Sequence, residues 1–462
     1  MSRGHKIHPS ILRAYDIRGV VGDTLRGRDI EFAARAFGSM VTEAGGKSIA
    51  LGYDGRLHSP DFEVISVNAL KECGLSVFRV GLGPSPMLYF ASHLFHADAA
   101  LMITGSHNPP DHNGMKMSLK GEPFFGENIQ RLGARAKSGE FVDGKGSEET
   151  HDIRQAYADR LIMDYYGTRK LKVAWDPGNG AAGEITELLT SKLPGEHILI
   201  NTKIDGTFPT HHPDPTVETN LEELKIVVKN QRCDLGIAFD GDGDRLGVID
   251  STGTVLWGDQ ILVILARDVL ADQPGATIIG DVKTSQVFQD EITRLGGKPI
   301  LWKTGHSHIK QKLAELGAPL AGEMSAHIFF RHRYYGYDDA LYSAVRLIST
   351  LACGEETLAD IRASLPHYIN TPELRFACSD QRKFEVIEEV KDRLHGRPKI
   401  HVNNIDGVRV ESSEGWWLLR ASNTQPVLVA RCESETLSGL EYLKAELVLQ
   451  LRESGVEPPD MD

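Results

Sequence analysis

Leu235-Gly236-Ile237-Ala238-Phe239-Asp240-Gly241-Asp242-Gly243-Asp244-Arg245 is the stretch on which the reading of this chain turns. A short apolar run breaks off into three carboxylates at alternate positions. A run of that length bounded by glycines reads as a buried strand. In an open α/β sheet the ligands bind beyond the carboxyl ends of such strands. The same rhythm recurs in Ser48-Ile49-Ala50-Leu51-Gly52 before Asp54-Gly55-Arg56 and in Ala99-Ala100-Leu101-Met102-Ile103 before Thr104-Gly105-Ser106. It returns in Lys172-Val173-Ala174-Trp175 before Asp176-Pro177-Gly178-Asn179-Gly180, and a helix-like amphipathic stretch follows most of these runs. The pattern predicts an α/β fold with mixed, largely parallel sheets, its chemistry in the polar loops.

Three aspartates packed this densely repel one another unless a divalent cation sits among them, so Asp240, Asp242 and Asp244 read as an Mg²⁺ site. The interleaved glycines let the backbone turn tightly around the ion. An EF-hand is excluded, because its sixth and twelfth positions, counted from Asp240, hold Arg245 and Ser251 instead of Gly and Glu. A phosphatase with Asp240 as nucleophile would also put acidic residues at a strand end. A solvated acidic turn is the remaining alternative, and it is costly after a buried strand.

Thr104-Gly105-Ser106-His107-Asn108-Pro109-Pro110 sets a hydroxyl at a strand end inside a constrained turn. It is no hydrolase elbow, since neither glycine of G-x-S-x-G is present. By itself it is a turn whose side chains bond the local backbone. Beside the aspartate loop it gains another meaning: a phosphoserine, with about −1.5 to −2 charge, would complement a metal held by the three carboxylates. Downstream, Asp111-His112-Asn113-Gly114-Met115-Lys116 supplies a lysine for proton transfer with a sugar hydroxyl. The pair His211-His212 before Pro213-Asp214-Pro215 lacks two further ligands at zinc spacing and reads as a rigid loop.

The 462 residues exceed what one core accommodates, about 250 to 300, so several domains are expected. With 41% hydrophobic and 25% charged residues the chain is an ordinary globular one. A net charge of −13 argues against nucleic acid as a partner. Five scattered cysteines without a C-x-x-C pair fit a reducing, cytoplasmic setting. No apolar run approaches the roughly 20 residues of a membrane span, and Met1 to Lys6 lead into no signal-like segment. Lys137 to His151 reads as a linker, with further boundaries near Asp250-Ser251-Thr252-Gly253 and Pro366. The last hundred residues have an α+β pattern: a helix around Phe384 to Leu394, strands through Ile405 to Val410 and Trp416 to Arg420, and a closing helix over about Leu437 to Leu451.

Five separate runs carry a resemblance: Arg13-Ala14-Tyr15-Asp16-Ile17-Arg18-Gly19, Ser106 to Lys116, Asp240 to Arg245, Gly322-Glu323-Met324-Ser325-Ala326-His327, and Arg420-Ala421-Ser422-Asn423-Thr424. In this order they resemble the bacterial phosphomannomutase/phosphoglucomutase branch of the α-D-phosphohexomutase superfamily. The resemblance implies three related α/β domains and a smaller α+β C-terminal domain around a central cleft, placed here at residues 1–151, 152–252, 253–365 and 366–462. It implies reversible interconversion of hexose 1-phosphate and hexose 6-phosphate, with a hexose 1,6-bisphosphate as intermediate and activator.

By the same resemblance Ser106 is the phosphoserine, and one Mg²⁺ per chain is held by Asp240, Asp242, Asp244 and a phosphoryl oxygen on Ser106. Arg18, Lys116 and Arg245 are the candidates for proton transfer and charge stabilisation. Glu323 and Ser325 grip sugar hydroxyls, and Arg420, Ser422, Asn423 and Thr424 hold the phosphate that is not transferred. Tyr15, His107, Lys283, His306 and His327 complete the substrate contacts. A lysine has an ordinary pKa near 10.4, so Lys116 as a base requires depression by cations such as Arg245, Lys283 and Arg18. Forked guanidinium donors suit Arg420 to phosphate independently of any family.

Two positions depart from close relatives: Ala326 stands where Gly is usual, and Tyr53 where Arg is frequent. Both bear on sugar preference more than on chemistry. The expected partners are small-molecule phosphosugars, mannose and glucose phosphates first, with no nucleic acid and no membrane, and the expected state is a monomer. The alternatives are an amino-sugar-preferring mutase, an aspartyl-nucleophile phosphatase, and a non-catalytic sugar-phosphate or Ca²⁺ binding protein.

Overall fold

A computed structural model describes residues 4–423, 425–458 and 461. Its core is one strand arrangement built three times. Strands Ser48–Tyr53, Ser76–Leu82 and Ala99–Ile103 are mutually parallel, and His112–Leu119 returns antiparallel to the third. Their spatial order is fourth, third, first, second. Strands Leu171–Asp176, Gly195–Leu199, Leu235–Phe239 and Leu246–Asp250 repeat that order. So do Thr277–Asp281, Lys298–Trp302, Leu320–Gly322 and Ile328–Phe330. In each unit helices link first to second and second to third strand, for example Ser59–Lys71 and Ser85–Leu94 in the first. Such crossovers are required between parallel strands.

The strand order reverses between the first and third strands of each unit, which opens a crevice beyond their carboxyl ends. The third strand is not followed by a helix. At Ala99–Ile103 and Leu235–Phe239 the chain turns back as an antiparallel strand, so these two runs are exceptions to the strand-then-helix rhythm expected of most of them. The loops containing Ser106, Asp240 to Asp244 and Glu323 to His327 occupy this same turn in the three units.

Two further stretches differ from their sequence reading. Within the expected linker, Ser147–Thr150 forms an edge strand parallel to Ser76–Leu82. Asp250-Ser251-Thr252-Gly253 is a hairpin turn, because Val255–Leu256 still pairs with the second sheet. The chain leaves that sheet after Leu256, not at residue 252. Both are short pairings whose partners lie far away or across a polar turn, and local composition does not report them.

The C-terminal unit is an antiparallel sheet centred on Gly415–Ala421 and Val427–Ser434, covered by helices Arg382–Leu394 and Leu437–Glu453. It has its own apolar core around Val390, Trp417, Leu419 and Leu447. Buried polar groups dock it on the third unit. Arg409, stacked 3.7 Å from the Trp416 ring centroid, donates to the carbonyls of Val282 and Thr284 at 2.8 Å each. Arg431 donates to the Lys283 carbonyl at 2.6 Å, and Glu433 accepts from Trp416 Nε1 and the Gln286 amide at 2.9 and 2.7 Å. No helix among the described residues is long and apolar enough to cross a membrane.

At the edge of the first sheet, strand Ile17–Val20 pairs with His112–Leu119 and sets Arg18 opposite Gly114. A methyl group at Gly114 would lie 1.9 Å from the Ile17 carbonyl oxygen, so only glycine permits this pairing. Gly114→Ala is expected to cost about 1–3 kcal/mol through overpacking and to displace Arg18. A lowered thermal midpoint by circular dichroism together with loss of activity is the outcome that checks it.

Candidate active site

Ser106 sits in the left-handed region at φ +51°, a conformation that non-glycine residues enter at a cost. The surrounding chain overdetermines it. Arg56, fully buried, gathers the serine loop by donating Nη2 to the carbonyls of Ser106 and Asn108 at 2.7 and 2.5 Å. Its Nη1 takes the carbonyls of Pro109 and His112 at 2.5 and 2.9 Å. Asp54 Oδ2 accepts from Thr104 Oγ1 and the Gly105 amide at 2.8 and 3.0 Å and lies 3.2 Å from Arg56 Nε. A side chain at Gly105 would strike that guanidinium at 2.4 Å. Asp54 and Arg56 were visible in the sequence as a strand-end loop, but their hold on the serine is a contact some fifty residues away, and no local pattern signals it.

Ser106 Oγ donates to Asp240 Oδ2 at 3.2 Å, and His107 Nδ1 lies 3.2 Å from Ser106 Oγ. The approach depends on Gly241, whose missing side chain would meet the Ser106 carbonyl at 2.5 Å. Asp240, Asp242 and Asp244 are fully buried and bring ligand oxygens within 4.8 Å of one another. Asp240 Oδ1 accepts the amides of Asp244 and Arg245 at 3.0 and 3.1 Å. Oδ1 of Asp242 and of Asp244 has no hydrogen-bond partner. Burial, then the charges of Asp244 and Asp242, push the Asp240 carboxyl well above the usual carboxylate range. Buried hard oxygen donors, two of them unpartnered, fit a divalent cation.

Lys116 bridges the first two units. Its Nζ donates to Asp242 Oδ2 at 2.7 Å and Asp244 Oδ2 at 2.5 Å. Burial favours the neutral amine, but the two carboxylates outweigh burial and hold Lys116 well above its ordinary value. A base role for Lys116 would require the opposite shift. Arg18 opposes the charge weakly, while Lys283 is paired elsewhere, with Glu373 at 3.0 Å. Ser85, another residue the sequence did not single out, donates its hydroxyl to Asp242 Oδ2 at 2.5 Å and its amide to the Asp242 carbonyl at 2.8 Å. Arg18 bonds Asn108 Oδ1 at 3.0 Å and Asp16 at 2.5 Å.

The third unit adds a stacked histidine pair. His306 and His327 have ring centroids 5.6 Å apart, and Arg245 Nε donates to His327 Nε2 at 3.0 Å. His327 Nδ1 faces Asp338 Oδ2 at 3.2 Å, and Lys310 holds the other oxygen of Asp338 at 2.9 Å. Burial, then nearby cations, push both His107 and His306 well below the ordinary histidine value, which favours the uncharged ring. Glu323 receives the Gly305 amide at 2.6 Å and keeps Oε2 buried without a partner. Its carboxyl is raised by burial. Ser325 is partly exposed on the same turn.

Tyr15 joins three units, donating to the Thr304 carbonyl at 2.9 Å and receiving Asn423 Nδ2 at 2.6 Å. Arg420 Nε donates to Asp406 at 3.0 Å. Ser422 Oγ accepts the Gln425 amide at 3.3 Å, and Thr424 lies outside the described residues. Tyr53 is set apart: it packs against the core of the first unit, raised by burial and then by Glu63. His211 donates to Asp176 at 2.8 Å and bonds the His212 carbonyl at 3.0 Å, while Asn201 joins Asp176 to Glu223. That network braces the loop behind Gly178, where His211 Cε1 and Pro213 lie under the glycine.

Four family models match in sequence: phosphoglucomutase/phosphomannomutase alpha/beta/alpha domain I over residues 9–143, domain II over 155–253, domain III over 257–368, and the C-terminal domain over 373–450. A phosphomannomutase/phosphoglucomutase of Pseudomonas aeruginosa is 43% identical over 444 residues, covering 96% of each chain. A phosphoglucomutase of Neisseria gonorrhoeae is 41% identical, over 94% of this chain and 95% of its own. The crystal structure of a phosphoglucomutase/phosphomannomutase family protein from Burkholderia thailandensis superposes with a TM-score of 0.92 at 40% identity, covering 99% of both chains.

Ala326 occupies φ +70°, in the turn whose carbonyl accepts the Leu246 amide at 3.0 Å. Left-handed alanine costs about 1–2 kcal/mol, and glycine gives back about 0.4–1 kcal/mol of that through the unfolded chain. Ala326→Gly is therefore expected to stabilise the protein by about 0.5–1 kcal/mol, measured as a higher midpoint in denaturant unfolding.

Proposed function

The chain belongs to the phosphoglucomutase/phosphomannomutase family, and from that premise we propose that Ser106 is the phosphoryl relay of a hexose phosphate mutase acting through a 1,6-bisphosphate. As a member it is an intramolecular phosphotransferase whose substrates are phosphosugars. The observation that carries the relay is the Ser106 Oγ contact to Asp240 Oδ2, 3.2 Å, at the edge of three buried carboxylates.

In the first half of the cycle the free hydroxyl of a hexose 1-phosphate attacks the phosphorus on Ser106. The new P–O6 bond forms as the P–Oγ bond breaks, and the hydroxyl proton ends on the serine oxygen. His107, neutral and 3.2 Å from Oγ, is placed to pass that proton. The bisphosphate then turns so that its 1-phosphate faces Ser106. Oγ attacks, the P–O1 bond breaks, O1 takes up the proton, and hexose 6-phosphate leaves a phosphorylated serine. Arg18, Arg245 and the charged Lys116 stabilise the phosphoryl group in flight. Lys116 acts through its charge, since its ammonium is secured by Asp242 and Asp244. Asp240, Asp242 and Asp244, with a phosphoryl oxygen on Ser106, would hold Mg²⁺, which supplies Lewis-acid neutralisation of phosphoryl charge when bound. Glu323 and Ser325 take sugar hydroxyls other than the one at C2, which lets glucose and mannose phosphates share the site. Arg420, Ser422, Asn423 and Thr424 hold the distal phosphate of a monomeric enzyme.

Ser106→Ala is expected to lower isomerisation of glucose 1-phosphate and mannose 1-phosphate by at least about 10³-fold, with no covalent phosphate in the intact mass. Survival of phosphate release in that variant would instead make Asp240 the nucleophile. A clear preference of the unaltered protein for glucosamine 1-phosphate would overturn the sugar assignment. Magnesium binding only the folded state stabilises by about 2.7 kcal/mol at a hundredfold excess over its Kd. The thermal midpoint should rise with added Mg²⁺ and return with chelator, and the rise should vanish in Asp240→Asn/Asp244→Asn.

A further inference from the structure

We propose that Asp406 is the positioning residue of the distal phosphate clamp, fixing Arg420 for a sugar phosphate and tying the C-terminal unit to the Thr304-Gly305 turn. The inference rests on the reading of Arg420 as that clamp. Arg420 is nearly buried, and Asp406 occupies one edge of its guanidinium: Nε donates to Oδ2 at 3.0 Å and Nη2 approaches Oδ1 at 3.4 Å. Nη1 makes no hydrogen bond among the described residues. The fork is therefore held from the side, with its end left for a second anion. A planar guanidinium offers both edges at once, so a phosphate need not displace the carboxylate.

The same Oδ2 accepts the Thr304 amide at 3.0 Å. Thr304 precedes Gly305, whose amide is held by Glu323, and its carbonyl receives Tyr15, which in turn receives Asn423. Asp406, Thr304, Tyr15 and Asn423 thus form a chain of contacts from the third unit through the first and back to the C-terminal one. It ties the phosphate clamp to the carboxylate expected to hold sugar hydroxyls. The turn carrying Asp406 is pressed onto the strand that carries Arg420. Gly407 sits at φ +83°, and a side chain there would come 2.4 Å from the Leu419 carbonyl. At that distance aspartate reaches both partners, and a glutamate would have one methylene too many.

The location has a consequence for turnover. Arg409, Arg431 and Glu433 secure the C-terminal unit through buried contacts at Val282 to Gln286. Asp406 is more exposed than Arg409, Arg431 or Glu433, at 14% of its side chain. Releasing its bond to Thr304 would loosen the clamp side while the anchors persist. That is the motion a bisphosphate needs to turn round without leaving.

Asp406→Ala and the isosteric Asp406→Asn test this against a purely structural role. In a Ser106→Ala background, glucose 1-phosphate affinity by calorimetry is expected to fall about tenfold in Asp406→Ala, and less in Asp406→Asn, whose amide oxygen still accepts from Thr304. With Ser106 present, KM should rise by a similar factor while kcat changes little. Free bisphosphate should also escape, so that activity decays unless glucose 1,6-bisphosphate is added. Unchanged affinity and unchanged dependence on added bisphosphate in both variants, folded by circular dichroism, would overturn the proposal. Equal loss of kcat and stability without a change in KM would do the same. The calorimetric result needs no chemistry, so it stands apart from the relay, which fails separately if Ser106→Ala still isomerises substrate.

Discussion

Three carboxylates buried together are the constraint around which this molecule is built. Asp240, Asp242 and Asp244 belong to one loop, yet the groups that make them tolerable come from elsewhere. Lys116 and Ser85 reach them from the first unit, and His327 approaches Asp244 from the third at 3.6 Å. A buried charge without compensation costs several kcal/mol. Docking of the first two units supplies part of that compensation through Lys116 and Ser85. Assembly and site are one requirement, and this explains why a single apolar cluster runs through the facing sides of all three α/β units.

The threefold strand order supplies the geometry. Each unit reverses direction at the same place, so each offers a turn at the same end of its sheet, and these turns bear the serine, the aspartates and Glu323 with His327. The reversal to an antiparallel strand also stiffens each turn. Both legs are fixed by ladder hydrogen bonds, which a strand-to-helix loop would not provide on its second leg. Stiff legs allow left-handed residues such as Ser106 and Ala326 to persist, because the surrounding bonds decide the backbone rather than the residue's own preference.

What the sequence made legible was local. The apolar runs, the alternating aspartates, the serine turn and the α+β pattern after residue 366 can all be recognised within about ten residues, and the elements lie where those runs are. What it hid was non-local. Arg56 gathering the serine loop, Ser85 under Asp242 and Asp406 beside Arg420 are pairings at separations from 14 to 157 residues, read from a contact and not from a pattern. Which of the apolar runs would not be followed by a helix was hidden for a related reason. A strand buried in a sheet looks the same whether the chain next crosses over or turns back. The cations near Lys116 were visible as motifs, while its distance to two carboxylates was not.

The two ends of the site are built in opposite ways, and the proposed relay would account for the difference. At the serine end buried side chains and glycine-enforced approaches leave no room: Gly105 under Arg56 and Gly241 against the Ser106 carbonyl admit no displacement. Transfer in line needs that rigidity, since a misplaced phosphorus loses the benefit of proximity. At the far end a partly exposed carboxylate, Asp406, and the hydroxyl of Tyr15 hold the parts together by single hydrogen bonds to Thr304 and Asn423, each of modest net strength. On the proposed relay the two phosphates of the sugar trade places, and such a sugar could not be gripped equally at both ends. On that reading the rigid end would fix what is transferred, and the less enclosed end would set how often the sugar can turn.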